Sequence, residues 1–473
     1  MAGFWRNSGL FMLHLRKIRL GCSRDGRGVR DSIERAADGE KMFINAVSKP
    51  QQAGNNLLLD GNVQFVVFMA AGLLTPVLIW LGLGNDPGSQ FLVNTLYPLG
   101  AATVITWYAL SRLREYAKAR ALSYVFPVNF LAFGGALGVI AVLRLNYSIP
   151  LFASGAMATV IVSYVVTAYN RRLRRPHFIV AGGRSNEVRS EGQYLPAPTL
   201  KELEALVEAG RLNGAIVADL HHDHPDEWER LFAKAALAGV PVYHYRQVAE
   251  MQTGQVKITH LSENDLGSLI PNVPYMATKR LIDIVGSLVL LPILAAPFLV
   301  IALLIRIDSP GNPFFVQERV GFRGNTFKML KFRTMRQGGA AGDEDAQRNH
   351  AMTKSDDDRI TRLGRFLRKT RIDELPQIFN ILRGEMSWIG PRPEALSLSK
   401  WYEAELPFYS YRHIVRPGIT GWAQVTQGHV TDVADVNAKL RFDFYYVKNI
   451  SLWLDFLIVL KTFRVILTGS GAK

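Results

Sequence analysis

Long uncharged apolar runs alternate with short polar loops over the first third of the chain. The run 63–84, "VQFVVFMAAGLLTPVLIWLGLG", is long enough to cross a bilayer, which takes roughly 20 residues. Three more follow at 91–111, 122–143 and 149–169. The loops differ in charge. "RLREYAKAR" (112–120) and "RRLRR" (171–175) are basic, whereas "GNDPGSQ" after the first run has no Lys or Arg. The positive-inside rule therefore puts the N-terminus and residue 171 onward on the cytoplasmic side. This predicts a four-helix transmembrane domain over 61–170, preceded by a basic N-terminal arm over 1–60.

The pattern changes at 176. "HFIVAGG", "GAIVADL" and "VPVYHYR" read as buried strands, and "TLKELEALVEAG" and "PDEWERLFAKAALAG" as amphipathic helices. Strand–helix alternation predicts a small open parallel sheet, a Rossmann-like α/β module over 176–265. Gly182 and Gly183 stand where a nucleotide phosphate would bind. "AGGRSNE" is not a full G-x-G-x-x-G fingerprint, however, so a structural or regulatory module is the stronger reading.

A further apolar segment, 279–308, carries Pro292 and Pro297. A proline removes a backbone donor and kinks a helix. This predicts a re-entrant helix-break-helix that enters and leaves on one face. Ser287 would serve the freed carbonyls, Lys279 and Arg280 would sit at the headgroups, and Asp283 would pair with Lys279 at i,i+4. A straight fifth span is the alternative. Beyond it, alternation over 314–335 predicts a hairpin around "GFRGN", and 337–358 reads as a long polar loop. "RITRLGRFLRKTR" (359–371) places Ile360, Leu363, Phe366 and Leu367 among cations. It suits a helix in the headgroup plane or one packed on its own domain.

Composition adds a constraint. The net charge is +15 and 48% of residues are hydrophobic, which suits a mixed protein facing an anionic surface or phosphorylated ligands. The single cysteine, Cys22, excludes an internal disulfide framework, and no secretory signal pattern opens the chain. The cations lie beside membrane segments and not on a nucleic-acid reader motif, so no nucleic-acid partner is expected.

The chemistry gathers around "RKTRIDELPQIFN" (368–380). A carboxylate beside Arg368 stays ionised and can attack phosphorus. An adjacent carboxylate can hold Mg²⁺. Arg392 in "IGPRP" and Arg416 in "VRPGITGWAQV" offer guanidinium forks for phosphate oxygens. Together these read as phosphoryl transfer from a cytoplasmic donor to a lipid acceptor.

"KFRTM", "RKTRIDELPQIFNILRGEMSWIGPRP" and "RPGITGWAQV" resemble the signature of the bacterial sugar transferases, the monotopic polyprenyl-phosphate sugar-1-phosphate transferases, over about 275–473. The preceding spans and module resemble the long form, which initiates exopolysaccharide, capsule or O-antigen units. The resemblance implies Asp373 as nucleophile and Glu374 as Mg²⁺ ligand. It implies a mainly α catalytic domain with a re-entrant hairpin hinged near Ser309 and Pro310. Arg368, Arg392 and Arg416 map onto positions expected to face phosphate, with Lys331 and Arg333 in support. Arg371 departs from the small hydroxyl residue frequent there and adds a cation. The implied partners are a UDP-sugar, undecaprenyl phosphate and the lipids of a bacterial inner membrane, with the catalytic domain facing the cytoplasm. A homodimer contact through the α/β module is open. Rival readings are a polytopic enzyme without a covalent intermediate and a non-catalytic scaffold of the polysaccharide machinery.

Overall fold

The computed structural model describes residues 61–113, 121–172, 176–189, 194–212, 214–258, 271–336, 359–427 and 433–468. The N-terminal arm and the polar loop 337–358 lie outside them. Two compact units emerge. One lies within Arg174–Tyr245, and the other draws on Asn56–Leu173 and Arg246–Lys473.

The second unit begins with four helices: α1 (Gly61–Gly82, π-helical over Ala70–Leu74), α2 (Gln90–Leu113), α3 (Ala121–Val142) and α4 (Ile149–Arg172). Small residues let them approach closely. A Cβ on Gly72 would lie 2.5 Å from Thr103 Oγ1, and one on Gly155 would lie 2.5 Å from the Gly72 carbonyl. Helix α2 was expected as a span. It is helical, but it is not among the four described helices long and apolar enough to cross a membrane, Gly61–Gly82, Leu122–Val142, Ile149–Asn170 and Pro274–Asp308. Thr95, Thr103 and Thr106 of α2 are buried, with hydroxyls donated to carbonyls one turn back at Thr95 and Thr103. Packing against neighbours, not lipophilicity, places this helix.

The α/β unit has a parallel sheet in the order β2 (Tyr194–Pro196), β1 (His177–Ile179), β3 (Ala215–Ala218), β4 (Val242–His244). Helices α5 (Leu200–Glu208) and α6 (Asp226–Leu237) pack Leu203, Val207 and Leu231 against Phe178 and Ile216. A Thr199–Glu202 capping box starts α5. Helix α7 (Tyr245–Thr253) leads back to the larger unit.

Helix α8 runs unbroken from Val273 to Asp308. The expected break at Pro292 or Pro297 is absent. Each proline costs one N–H, and a long apolar helix absorbs that loss by local adjustment. Ser287 is buried and its hydroxyl has no hydrogen-bond partner, so the expected service to a freed carbonyl is absent too. Ser309, in extended conformation, ends the helix before Pro310. The predicted hairpin forms as β5 (Phe314–Val320) and β6 (Thr326–Phe332), with Phe314 opposite Phe332. Then follow α9 (Arg362–Lys369), α10 (Ile378–Arg383), β7 (Ser387–Ile389), α11 (Leu396–Glu405), β8 (Gly418–Thr420), α12 (Trp422–Thr426), α13 (Val433–Lys448) and α14 (Leu452–Thr468). Strands β7 and β8 pair in parallel.

Candidate active site

Helix α9 opens on Thr361, whose hydroxyl accepts the Gly364 N–H at 2.9 Å. A Cβ on Gly364 would collide with the Thr334 carbonyl, so this glycine lets α9 lie directly on the chain after β6. Leu367 is buried, while Phe366 is 57% exposed. The helix thus packs on its own domain and still presents an aromatic ring outward. Arg371 then takes a left-handed conformation at φ 60° and turns the chain into a 3₁₀ segment, Ile372–Gln377. Ile378 beyond it is fully buried with Phe298, Phe332 and Leu367. This reversal drives Asp373 and Glu374 inward, and both are buried.

Three cations converge on Glu374 Oε1: Arg392 Nη2 at 2.8 Å, Lys331 Nζ at 3.4 Å and Arg371 Nη1 at 3.5 Å. Burial alone would raise the Glu374 carboxyl, but Arg392, Lys331 and Arg371 hold it well below the usual carboxylate range. Asp373 is the opposite case. Burial and the neighbouring Glu374 charge push it up to about 6, against the pull of Lys331, Arg392 and Arg371. Its Oδ1 is buried without a hydrogen-bond partner. Burial carries the Lys331 ammonium down to about 8. The sequence reading placed Arg368 beside this pair. The cations acting most strongly on the pair are Lys331, Arg371 and Arg392, and Arg368 donates its Nε to Thr334 Oγ1 at 2.9 Å.

Of the five cations expected around phosphate, the structure brings Lys331 and Arg392 to the carboxylate pair. Arg416 lies elsewhere: its Nε donates to the Gly384 carbonyl at 2.9 Å, and its guanidinium lies 4.9 Å from the Phe322 ring centroid. Arg333 is buried and donates Nη2 to the Ser309 carbonyl at 2.6 Å and to its hydroxyl at 3.0 Å, fixing the end of α8. At the other end of α8, Lys279 does not pair with Asp283 as i,i+4 spacing suggests. It bonds Asp455 at 2.6 Å, while Asp283 accepts from Ser387 Oγ at 3.0 Å and the Trp388 N–H at 3.2 Å. Arg280 Nη2 donates to the Leu382 carbonyl at 2.9 Å.

The sequence reading missed the groups that hold Arg392. Its carbonyl accepts Arg412 Nη2 at 2.8 Å, and Arg319 donates to the Pro393 carbonyl at 2.9 Å. Glu394 bonds Lys439 at 2.6 Å. Burial would raise this carboxyl, but Lys439, Arg412 and Arg319 hold it low. These partners are remote in sequence, and only Glu394 beside "GPRP" carried a local signal.

The arrangement presents a carboxylate oxygen without a donor beside cations suited to phosphate oxygens. Residues 274–469 match the family described as bacterial sugar transferase. A UDP-N-acetylgalactosamine-undecaprenyl-phosphate N-acetylgalactosaminephosphotransferase of Aeromonas hydrophila is 42% identical over 387 residues, spanning 80% of this chain and 88% of its own. A UDP-glucose:undecaprenyl-phosphate glucose-1-phosphate transferase of Caulobacter vibrioides is 40% identical over 44% of this chain and 76% of its own. An exopolysaccharide production protein of Rhizobium leguminosarum bv. phaseoli is 41% identical over 40% of this chain and 94% of its own.

Proposed function

The chain belongs to the bacterial sugar transferase family, and from that premise we propose that it moves a hexose-1-phosphate from a UDP-sugar to undecaprenyl phosphate. An Asp373 oxygen attacks the β-phosphorus. The bond from that phosphorus to the oxygen bridging to the α-phosphate breaks, and UMP leaves with that oxygen. A phosphate oxygen of the lipid then attacks the aspartyl-phosphosugar and displaces the Asp373 carboxylate, giving a polyprenyl diphosphosugar. The observation that carries this reading is the partnerless buried Asp373 Oδ1 beside a Glu374 held by three cations. When phosphate enters, Arg392 and Lys331 are close enough to exchange part of their carboxylate bonding for phosphate oxygens.

Two adjacent buried carboxylates supply the hard oxygen donors that Mg²⁺ prefers, and an acceptor without a donor suits a cation, so the residues present fit that ion. Glu374 would hold it, and the bound ion would neutralise phosphate charge. Activity should vanish with EDTA and return with Mg²⁺.

The site belongs on the cytoplasmic face of the inner membrane in this reading, with both ends of α8 on that face and the helix bending at Pro292 and Pro297 without a break in its helical run. Support comes from the two ends of α8, bonded through Lys279–Asp455 and Arg333–Ser309 to a single compact unit. Exposed Phe314, Phe315, Val316 and Phe366 suit a lipid boundary. With Cys22 replaced, reporter cysteines at exposed Thr278 and Thr326 should both resist an impermeant reagent until the cells are opened. Labelling of only one from outside would put them on opposite faces and end this topology.

The chemical test is trapping. Donor without lipid acceptor should leave a phosphosugar on the peptide containing Asp373, with one equivalent of UMP released. Asp373→Asn should fold, reach the membrane and release none. A panel of UDP-linked N-acetylgalactosamine, glucose and galactose identifies the sugar. A wild-type rate in Asp373→Asn removes the covalent mechanism. UMP released by none of the panel, with the protein folded, favours the scaffold reading.

A further inference from the structure

The α/β unit gathers imidazoles and a carboxylate at the carboxyl ends of its strands. Ala218, the last residue of β3, is in register with His244, the last of β4. Asp219 follows β3 directly, and His221 stands two residues on. In a parallel sheet the ends of neighbouring strands lie side by side, so these three residues converge. His221 Nδ1 is 3.0 Å from His244 Nε2, and His244 Nε2 is 3.5 Å from Asp219 Oδ1. The three ligand-capable atoms all lie within 4.8 Å of one another.

Those spacings match one ion. With Zn–N near 2.0–2.1 Å and Zn–O near 2.0–2.2 Å, two ligand atoms of a tetrahedral site stand about 3.3 Å apart. The carboxylate is also fixed in place. Its Oδ2 accepts the Arg184 N–H at 2.9 Å, and its Oδ1 accepts the His221 N–H at 3.2 Å. His224 Nε2 lies 3.0 Å from the Asp219 carbonyl and braces the same residue. Burial would raise the Asp219 carboxyl, but the Arg184 and His221 amides and the two imidazoles hold it below its usual value. Asp219 is buried, His244 half-buried and His221 exposed, which leaves one side open to water.

The same geometry argues against a nucleotide phosphate at Gly182–Gly183. A Cβ on Gly182 would lie 2.8 Å from His224 Cε1, and one on Gly183 would meet the Asp219 carboxylate. The space over this turn is thus taken by side chains. The carboxylate already occupies the Arg184 amide and would repel a phosphate. A cation is attracted by the same groups.

We propose that Asp219, His221 and His244 bind one zinc-class divalent cation, with water completing the coordination. This site lies wholly within the α/β unit and does not depend on the phosphoryl-transfer reading. The test uses the full chain in detergent, without a histidine tag and stripped with EDTA. Co²⁺ should bind with one equivalent per chain, develop a visible absorption band of tetrahedral intensity, and be displaced by one equivalent of Zn²⁺. His221→Ala removes an exposed ring and keeps Asp219 and His244 in place. It should weaken binding at least tenfold, as should His244→Ala, while His222→Ala should bind as wild type. Absence of a saturable band in the wild type overturns the proposal. So does a band that persists in the His221→Ala/His244→Ala double variant, since the ion would then sit elsewhere.

Discussion

Asp455→Asn removes an anion on which three groups converge. Lys279 Nζ and the Tyr275 hydroxyl both donate to Oδ2 at 2.6 Å, and the Tyr446 hydroxyl donates to Oδ1 at 2.8 Å. The Lys279 and Asp455 side chains are only 9% and 7% exposed. Two unit charges about 4 Å apart attract by about 4 kcal/mol at an effective dielectric near 20, and this closer pair by somewhat more. Desolvation of both ions offsets most of that gain, so the intact pair contributes little net stability. Breaking it is different, because Lys279 stays buried without its anion at a cost of roughly 3–5 kcal/mol. At roughly 2–4 °C per kcal/mol, the Tm of this unit should fall by about 6–20 °C. Lys279→Met added to Asp455→Asn should recover most of the loss, because the orphaned charge is gone. The Tyr446 hydroxyl also reaches the Ile389 carbonyl at 3.2 Å, and β7 leads directly to Arg392, so the single variant should lose turnover below its melting onset as well. Thermal unfolding in detergent, followed by tryptophan fluorescence, and UMP release read both effects. An unchanged Tm in Asp455→Asn refutes the reasoning, and a double variant no better than the single shows that the stranded lysine is not the cause.

Two further substitutions separate geometry from charge around the carboxylate pair. Arg371→Gly relieves a left-handed residue worth roughly 1 kcal/mol and adds unfolded-chain entropy of similar size, so Tm should stay nearly constant. Turnover should fall a few-fold, about what a partly exposed ion pair contributes, because Arg371 meets Glu374 at 3.5 Å and its side chain is 43% exposed; a full wild-type rate would show that this cation is dispensable. Gly364→Ala places a Cβ against the Thr334 carbonyl, and the forced shift should cost roughly 1–3 kcal/mol and lower turnover by moving α9. Wild-type melting and turnover in that variant would mean the approach of α9 is not tight.

Local signals were legible, and remote ones were not. The β5–β6 hairpin shows in its alternation and the α/β order in its apolar runs, whereas the left-handed turn at Arg371 carried no sequence signal. Strand β2 escaped notice because three residues ending in a proline make no periodic pattern. The parallel β7–β8 pair joins segments separated by α11 and the turns around it, so no local pattern links them. The partners of Glu374 show the limit most clearly. The i,i+3 rule favours Arg371, and it does touch Glu374, but Lys331 arrives from 43 residues away and could not be read locally. Lys279 obeys no local rule at all. Its i,i+4 neighbour Asp283 loses to Asp455, 176 residues distant, because the tertiary contact buries the charge against a better acceptor set.

The two carboxylates of the pair are adjacent in sequence yet electrostatically unlike, and the difference bears on which of them can attack. Glu374 is held ionised by three cations, all of them on Oε1, and a carboxylate so stabilised is the poorer nucleophile of the two. Asp373 has an oxygen that nothing engages and a carboxyl pushed up to about 6, which makes its ionised form more basic than an ordinary aspartate. A diphosphate brings negative charge that would repel a bare anion. Here the cations needed to offset that charge are stored on the neighbouring side chain within reach of the same space. If this division of labour is right, exchanging the two residues, Asp373→Glu with Glu374→Asp, should keep both charges and still abolish turnover. One methylene more moves the attacking oxygen, and one fewer draws the anchor away from Arg392. Retained UMP release by the exchanged enzyme would mean that total charge, not the placement of each oxygen, governs the site.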